Sequence, residues 1–175
     1  MPIKTYGSAV YGIEAIAITI EVNISGGTKY YMVGLPDNAV KESMLRVESA
    51  INNSGYRMPR QKIVVNLAPA DIRKEGSAYD LAIAIGILAE SNQVRDEKLD
   101  QYLIMGEVSL DGGLQPIKGA LPIAIQGRLD GFKGLILPKA NAREAAIVND
   151  FEVFGVENIK EVIRFFNNEI ILERT

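Results

Sequence analysis

The chain has 175 residues, 47% of them hydrophobic and 23% charged, which is enough for one domain with a real core. It has no Cys, His or Trp, so disulfides, thiolate or imidazole metal sites, cysteine nucleophiles and a Ser-His-Asp triad are excluded. The net charge of −3 leaves any nucleic-acid binding to a local patch, and a metal would have to sit on carboxylates and carbonyls, as Mg²⁺ does.

No basic-then-apolar leader and no apolar run of about 18 residues is present. The expectation is a cytoplasmic chain with no membrane partner. Ser8 to Tyr11 and Ala15 to Ile24 read as strands. In the second, Ile16, Ile18, Ile20 and Val22 alternate with Ala17, Thr19, Glu21 and Asn23, which predicts one buried face. Ser25-Gly26-Gly27 turns the chain into Lys29 to Val33, read as its hairpin partner. Pro36 and Asp37 open a helix whose apolar stripe is Val40, Met44, Val47 and Ile51, and Gly55 follows its end. Lys41 and Arg46 lie off that stripe and read as solvated surface.

The central stretch is Lys62 to Glu90. A β-branched run, Ile63-Val64-Val65, predicts a strand; a polar loop from Ala68 to Ser77 follows; then comes an almost wholly apolar helix, expected to be buried on all sides. Ser77 with Asp80 three residues on has the spacing of a helix cap. Gly86 inside the helix costs about 1 kcal/mol against Ala, so a close neighbour is expected there.

Asn92 to Gln101 reads as a polar connector and Leu103 to Leu110 as a strand before a tight Asp111-Gly112-Gly113 turn. A helix follows over about Ala120 to Asp130, stopped by Gly131, then a short strand, Leu135 to Leu137. Asn141 with Glu144 and Asn158 with Glu161 mark two capped helix starts. Val153 to Val156 lies between them as a strand, and Glu169 to Leu172 reads as a last one. Early strands followed by alternating helices and strands predict an α/β or α+β fold, with helices packed on a mixed sheet.

Two features bear on chemistry. From Arg57 to Lys74 the chain carries Arg57, Arg60, Lys62, Arg73 and Lys74 against Asp71 alone, a local charge of +4. Such a run suits phosphate contacts without base reading, and equally suits plain solvated surface. The second is a Ser-Lys dyad, Ser77 with Lys74 or Lys118, in which a lysine in a dry pocket takes the serine proton; the simpler reading has Ser77 capping the helix and Lys74 in water. No G-x-x-x-x-G-K-[ST] loop is present, so ATP binding of that type is not expected of this chain.

Five blocks, GLPDNAVKESMLRVESAINNSGY, KIVVNLAPADIRKEG, YDLAIAIGILA, GEVSLDGGLQPIKGALPIA and LILPKANAREAA, together resemble the N-terminal domain of the magnesium chelatase-like competence ATPases of the ComM or YifB type. The resemblance runs from about Ser8 to Val162. It implies a mixed sheet packed with helices, like the Lon proteolytic domain and the ribosomal protein S5 domain 2-like fold. It also implies that residues 1–175 are one excised N-terminal domain. The partners implied are the chain's own AAA+ module, which would bind the ATP and Mg²⁺, other copies in a hexamer, and DNA undergoing branch migration.

Against the Lon pattern, Lys74-Glu75-Gly76 matches the stretch before the nucleophile, but Ser77 comes one residue early and Ala78 holds the nucleophile's place. Gly106 to Leu110 and Pro116 to Gly119 match the block before the protease lysine, whose place is taken by Leu121. The resemblance therefore implies a pseudoprotease without catalytic residues. Ala78 and Leu121 are then the vestigial dyad positions.

Overall fold

The computed structural model describes residues 2–175. Strand β1 (Ile3–Tyr11) and strand β2 (Glu14–Ser25) form a long antiparallel hairpin. Strand β4 (Lys62–Ala68) lies antiparallel against β2, and strand β3 (Tyr30–Val33) runs parallel to β4 on its far edge, giving the order β1-β2-β4-β3. The expected β2–β3 hairpin is thus split by β4. Burial explains the insertion: Ile63, Val65 and Leu67 are fully buried on β4, whereas Tyr31 and Val33 of β3 are each 45% exposed. The strand with the larger apolar gain takes the centre of the sheet.

Helix α1 (Asn38–Lys41) and helix α2 (Ser43–Asn53) form the predicted amphipathic segment, broken by a kink at Glu42. Asp37 Oδ1 accepts from Val40 N at 2.8 Å, and Val40, Met44, Val47 and Ile51 are all buried. Helix α3 (Asp80–Glu90) is buried from Asp80 through Ala89. It packs on β1 and β2, where a Cβ on Gly86 would lie 2.7 Å from Val22 Cγ2; the close neighbour that Gly86 predicts is therefore this strand.

The rest of the chain adds a parallel sheet of β5 (Tyr102–Ile104), β8 (Gly134–Pro138) and β9 (Glu152–Val156), and a small hairpin of β6 (Glu107–Val108) and β7 (Leu114–Gln115). Helix α4 (Ala120–Leu129) packs against β1 and β2, with its buried Ile123 and Ala124 in a second core cluster that also holds Ala15 of β2. Helices α5 (Lys139–Ala145) and α6 (Ile159–Phe166) flank β8 and β9. The fold is mixed α/β, as expected.

Three sequence expectations are corrected by tertiary contacts. The Leu103–Leu110 strand is two pieces, because the Gly106 backbone is engaged by the start of α3: its N–H donates to Ala78 O at 2.9 Å and its carbonyl accepts from Leu81 N at 3.0 Å. Helix α5 begins at Lys139 rather than at Asn141, whose side chain instead clamps Ile117, accepting from its N–H and donating to its carbonyl at 2.9 Å each. Glu169 to Leu172 forms no strand; Ile171 is 93% exposed, and the tail reaches β9 through Thr175 N to Val153 O. By contrast, Asn158 caps α6 as expected, accepting from Glu161 N at 3.0 Å. No helix among the described residues is long and apolar enough to cross a membrane.

Candidate functional site

Two polar regions lie at opposite ends of β4. The C-terminal end carries the loop from Ala68 to Ser77, and what holds that loop is Lys74. Its side chain is fully buried, and its ammonium donates to Gly34 O at 2.7 Å and to Pro69 O. Its backbone bonds Leu35 O and Asp37 N, so one residue staples three segments. Burial lowers its pKa below the usual lysine value, opposed by the Asp71 carboxylate. Lys74 therefore points neither to water, as the simpler reading had it, nor to a phosphate. Gly34 sits at φ 105°, with Leu67 O where a side chain would begin, so this approach admits only glycine.

Next to the staple, Asp80 replaces its expected capping role with a buried ion pair. Its carboxylate accepts from Arg46 Nε at 2.7 Å and Nη2 at 2.9 Å, from Ser43 Oγ at 2.6 Å and from Val108 N at 3.1 Å. Burial pushes the carboxyl above its ordinary pKa, and the Arg46, Ser43 and Val108 donors pull it back. Arg46, expected to be solvated surface, instead joins α2, α3 and β6 through this carboxylate. The signal for it was in the sequence: one charged residue at the head of an otherwise apolar helix needs a buried partner.

Ser77 does not cap α3; no side chain does, and the Ser77 hydroxyl donates to Glu107 Oε1 instead. Ser77 lines a cleft of about 630 Å³ with Asp37, Glu75, Ala78, Glu107 and Lys118, among others. Asp37 Oδ2 accepts from Gly76 N at 3.0 Å and so fixes the cleft's rim. Ala78 lines this cleft, whereas Leu121 sits beyond it in the first turn of α4, its N–H donating to Glu144 Oε2 at 2.9 Å. Gly119, at φ 78°, precedes α4, which leaves Lys118 outside the helix on the cleft wall. Ala78, Ser77 and Lys118 thus share one cleft.

The basic run does not form one patch. Arg57 and Arg60 line a pocket of about 880 Å³ at the N-terminal end of β4. Lys62 lies on the sheet face, its ammonium 5.4 Å from the centroid of the Tyr31 ring. Arg73 is at the other end of the strand, roughly 20 Å away by strand rise, and pairs with Glu75 at 3.3 Å on the surface. With Lys74 buried, the surface cation set is Arg57, Arg60, Lys62 and Arg73. Among the described residues no group of three or more acidic side chains is placed to hold a metal.

The sequence that folds this way matches a known family along most of its length. The family model described as subunit ChlI of Mg-chelatase matches residues 20–141, and the chain belongs to that family. Relatives are found in proteins named YifB from Escherichia coli (strain K12), 44% identical over 95% of this chain, and competence protein ComM from Haemophilus influenzae, 41% identical over 94%. More distant likeness extends to DNA repair protein RadA of Escherichia coli, 30% identical over 94% of this chain and 36% of that protein. Lon protease homolog 2 of Caenorhabditis elegans is 27% identical over 90% of this chain and 22% of its own length. The chain spans about a third of the YifB and ComM relatives.

Proposed function

We propose that this chain is the non-catalytic, Lon-like N-terminal domain of a magnesium chelatase-like AAA+ motor, built on the ribosomal protein S5 domain 2-like fold and serving ring assembly and DNA contact. The observation that carries the non-catalytic part is the wiring of Ser77. Its hydroxyl donates to a carboxylate, while Lys74 is turned away onto two backbone carbonyls, so among the described residues no lysine amine is hydrogen-bonded to it. At the positions the Lon pattern reserves for nucleophile and base stand Ala78 and Leu121. Support for a DNA role comes from the names of the relatives, one in competence and one in DNA repair. ATP and Mg²⁺ belong to the AAA+ module rather than to these residues, which include no phosphate-binding loop.

A serine-directed acylating probe tests the first part: Ser77 stays unlabelled, and covalent labelling at Ser77 would restore the peptidase reading. Titration of single-stranded and branched DNA at low and moderate salt tests the second. Binding that falls steeply with salt is expected, and no binding at low salt removes DNA contact from this domain.

Assembly has its own surface. Leu121, Ile125 and Leu129 recur at four-residue spacing along α4, with Ile125 47% and Leu129 72% exposed. A stripe of that kind suits packing against a second copy. Sedimentation velocity of the chain and of a Leu129→Glu variant tests it: an oligomer lost in the variant is expected, and a monomer at all concentrations overturns the role of this stripe.

A further inference from the structure

The pocket at the N-terminal end of β4 is built more carefully than a surface groove requires. The loop that presents Arg57 is pinned on both sides. Arg57 N donates to Gln93 Oε1 at 2.9 Å, Gln93 Nε2 returns a bond to Arg57 O at 2.8 Å, and Met58 N donates to Asn52 Oδ1 at 3.1 Å. Yet the guanidinium groups of Arg57 and Arg60, which line the pocket, form no ion pair among the described residues. Glu90 lines this pocket and the one beside it, and its Oε2 is tucked beneath the surface without a hydrogen-bond donor, again among the described residues. A buried acceptor without a donor carries a desolvation cost, which is relieved once the carboxylate turns to meet a ligand's N–H. The carboxylate turns on a broad terminal torsion, so it can offer its oxygens to the pocket.

These groups define complementary chemistry. Two free guanidiniums call for an anion, while the orphaned carboxylate calls for N–H donors. A bare phosphate answers only the first and meets Glu48 and Glu90, both of which line the pocket, and the C-terminal end of α3, which finishes at Glu90. A nucleotide answers both. Among the bases, guanine presents adjacent N1–H and N2–H donors on its pairing edge, matching a carboxylate, whereas thymine offers one N–H between two carbonyls that the carboxylate would repel.

We propose that this pocket is a nucleotide subsite, in which Arg57 and Arg60 hold the phosphate and Glu90 reads the pairing edge of guanine. It rests on the DNA-contact reading for its biological source, a single strand, although the pocket chemistry would equally accept a free nucleotide. The test uses calorimetry of dGMP, dTMP and inorganic phosphate, and fluorescence anisotropy of a thymidine homopolymer with and without one dG. Binding of dGMP at least about tenfold tighter than dTMP is expected, with phosphate failing to compete. Glu90→Gln removes that preference while Arg57→Ala with Arg60→Ala weakens every nucleotide and lowers the salt slope on single strands by about 1.4. The arginines are exposed, so their variants fold, and thermal unfolding checks Glu90→Gln.

If single strands bind but none of these variants changes affinity or base preference, the subsite is overturned and DNA contact stands. If dGMP binds and single strands do not, the subsite stands for a free nucleotide and the DNA-contact reading falls. Binding of neither overturns both.

Discussion

The two ends of β4 handle polar groups in opposite ways. At the C-terminal end, each buried charge is completed within the fold: Lys74 by two carbonyls, and Asp80 by Arg46, Ser43 and the Val108 amide. At the N-terminal end, Arg57 sits on a pinned backbone, and among the described residues neither it nor Arg60 forms an ion pair, while Glu90 has an oxygen without a donor. Both ends are polar, and Arg57, Arg60 and Lys74 came from the same basic stretch of sequence. Completed groups hold a structure together; incomplete groups on a fixed frame are available to something else. Substitutions at the first end should therefore be read in stability, and at the second in binding.

The strongest way to break this contrast is Asp80→Ala, which strips the partner from a guanidinium held between helices and frees the Ser43 hydroxyl and the Val108 amide. A loss of about 3–5 kcal/mol is expected, measured by urea unfolding; a loss below 1 kcal/mol would mean that the pair is not what joins α2 to α3. Lys74→Met keeps the apolar stem and removes the ammonium from Gly34 O and Pro69 O. Leaving these carbonyls without that donor costs about 1–3 kcal/mol, and DNA affinity should change no more than folding does.

Two variants at helix starts sharpen the comparison further. Asn158→Ala removes a formed cap and should cost about 1 kcal/mol. Ser77→Ala removes no cap and should cost less, so equal losses in the two melts would contradict the observed wiring. The smallest stability effect belongs to Arg57→Ala with Arg60→Ala, each within about 0.5 kcal/mol. A larger loss there would show that these arginines serve the fold after all.

Most of the helices and strands were legible because their periodicity is local: the stripe of α2, the apolar run of α3 and the alternation of β2 all depend on near neighbours. Partner choice was not. The sequence around Ser25-Gly26-Gly27 carries a hairpin turn, yet β3 pairs with β4 because the central position offers β4 three fully buried side chains. The same limit governs the caps. Asn158 and Ser77 have similar signatures, but only Asn158 lacks a competing partner; Ser77 has Glu107, and Asp80 has Arg46. At the candidate sites, the sequence placed five cations in one run. It could not show that a seven-residue strand would carry Arg73 away from Arg60 and that the fold would swallow Lys74.

The position of β4 between β2 and β3 also bears on how the chain leaves the ribosome. Until Ala68 has been synthesised and released, β2 lacks its inner neighbour and β3 lacks its observed sheet partner. During that interval two apolar strand edges stand open, the condition under which nascent chains pair wrongly with one another. The centre of this sheet is the last of its four strands to be made. Synthesis that stalls before Lys62 should therefore release a fragment prone to aggregation, whereas one that stalls only after the α3 helix has left the ribosome should already protect the β2 amides from exchange.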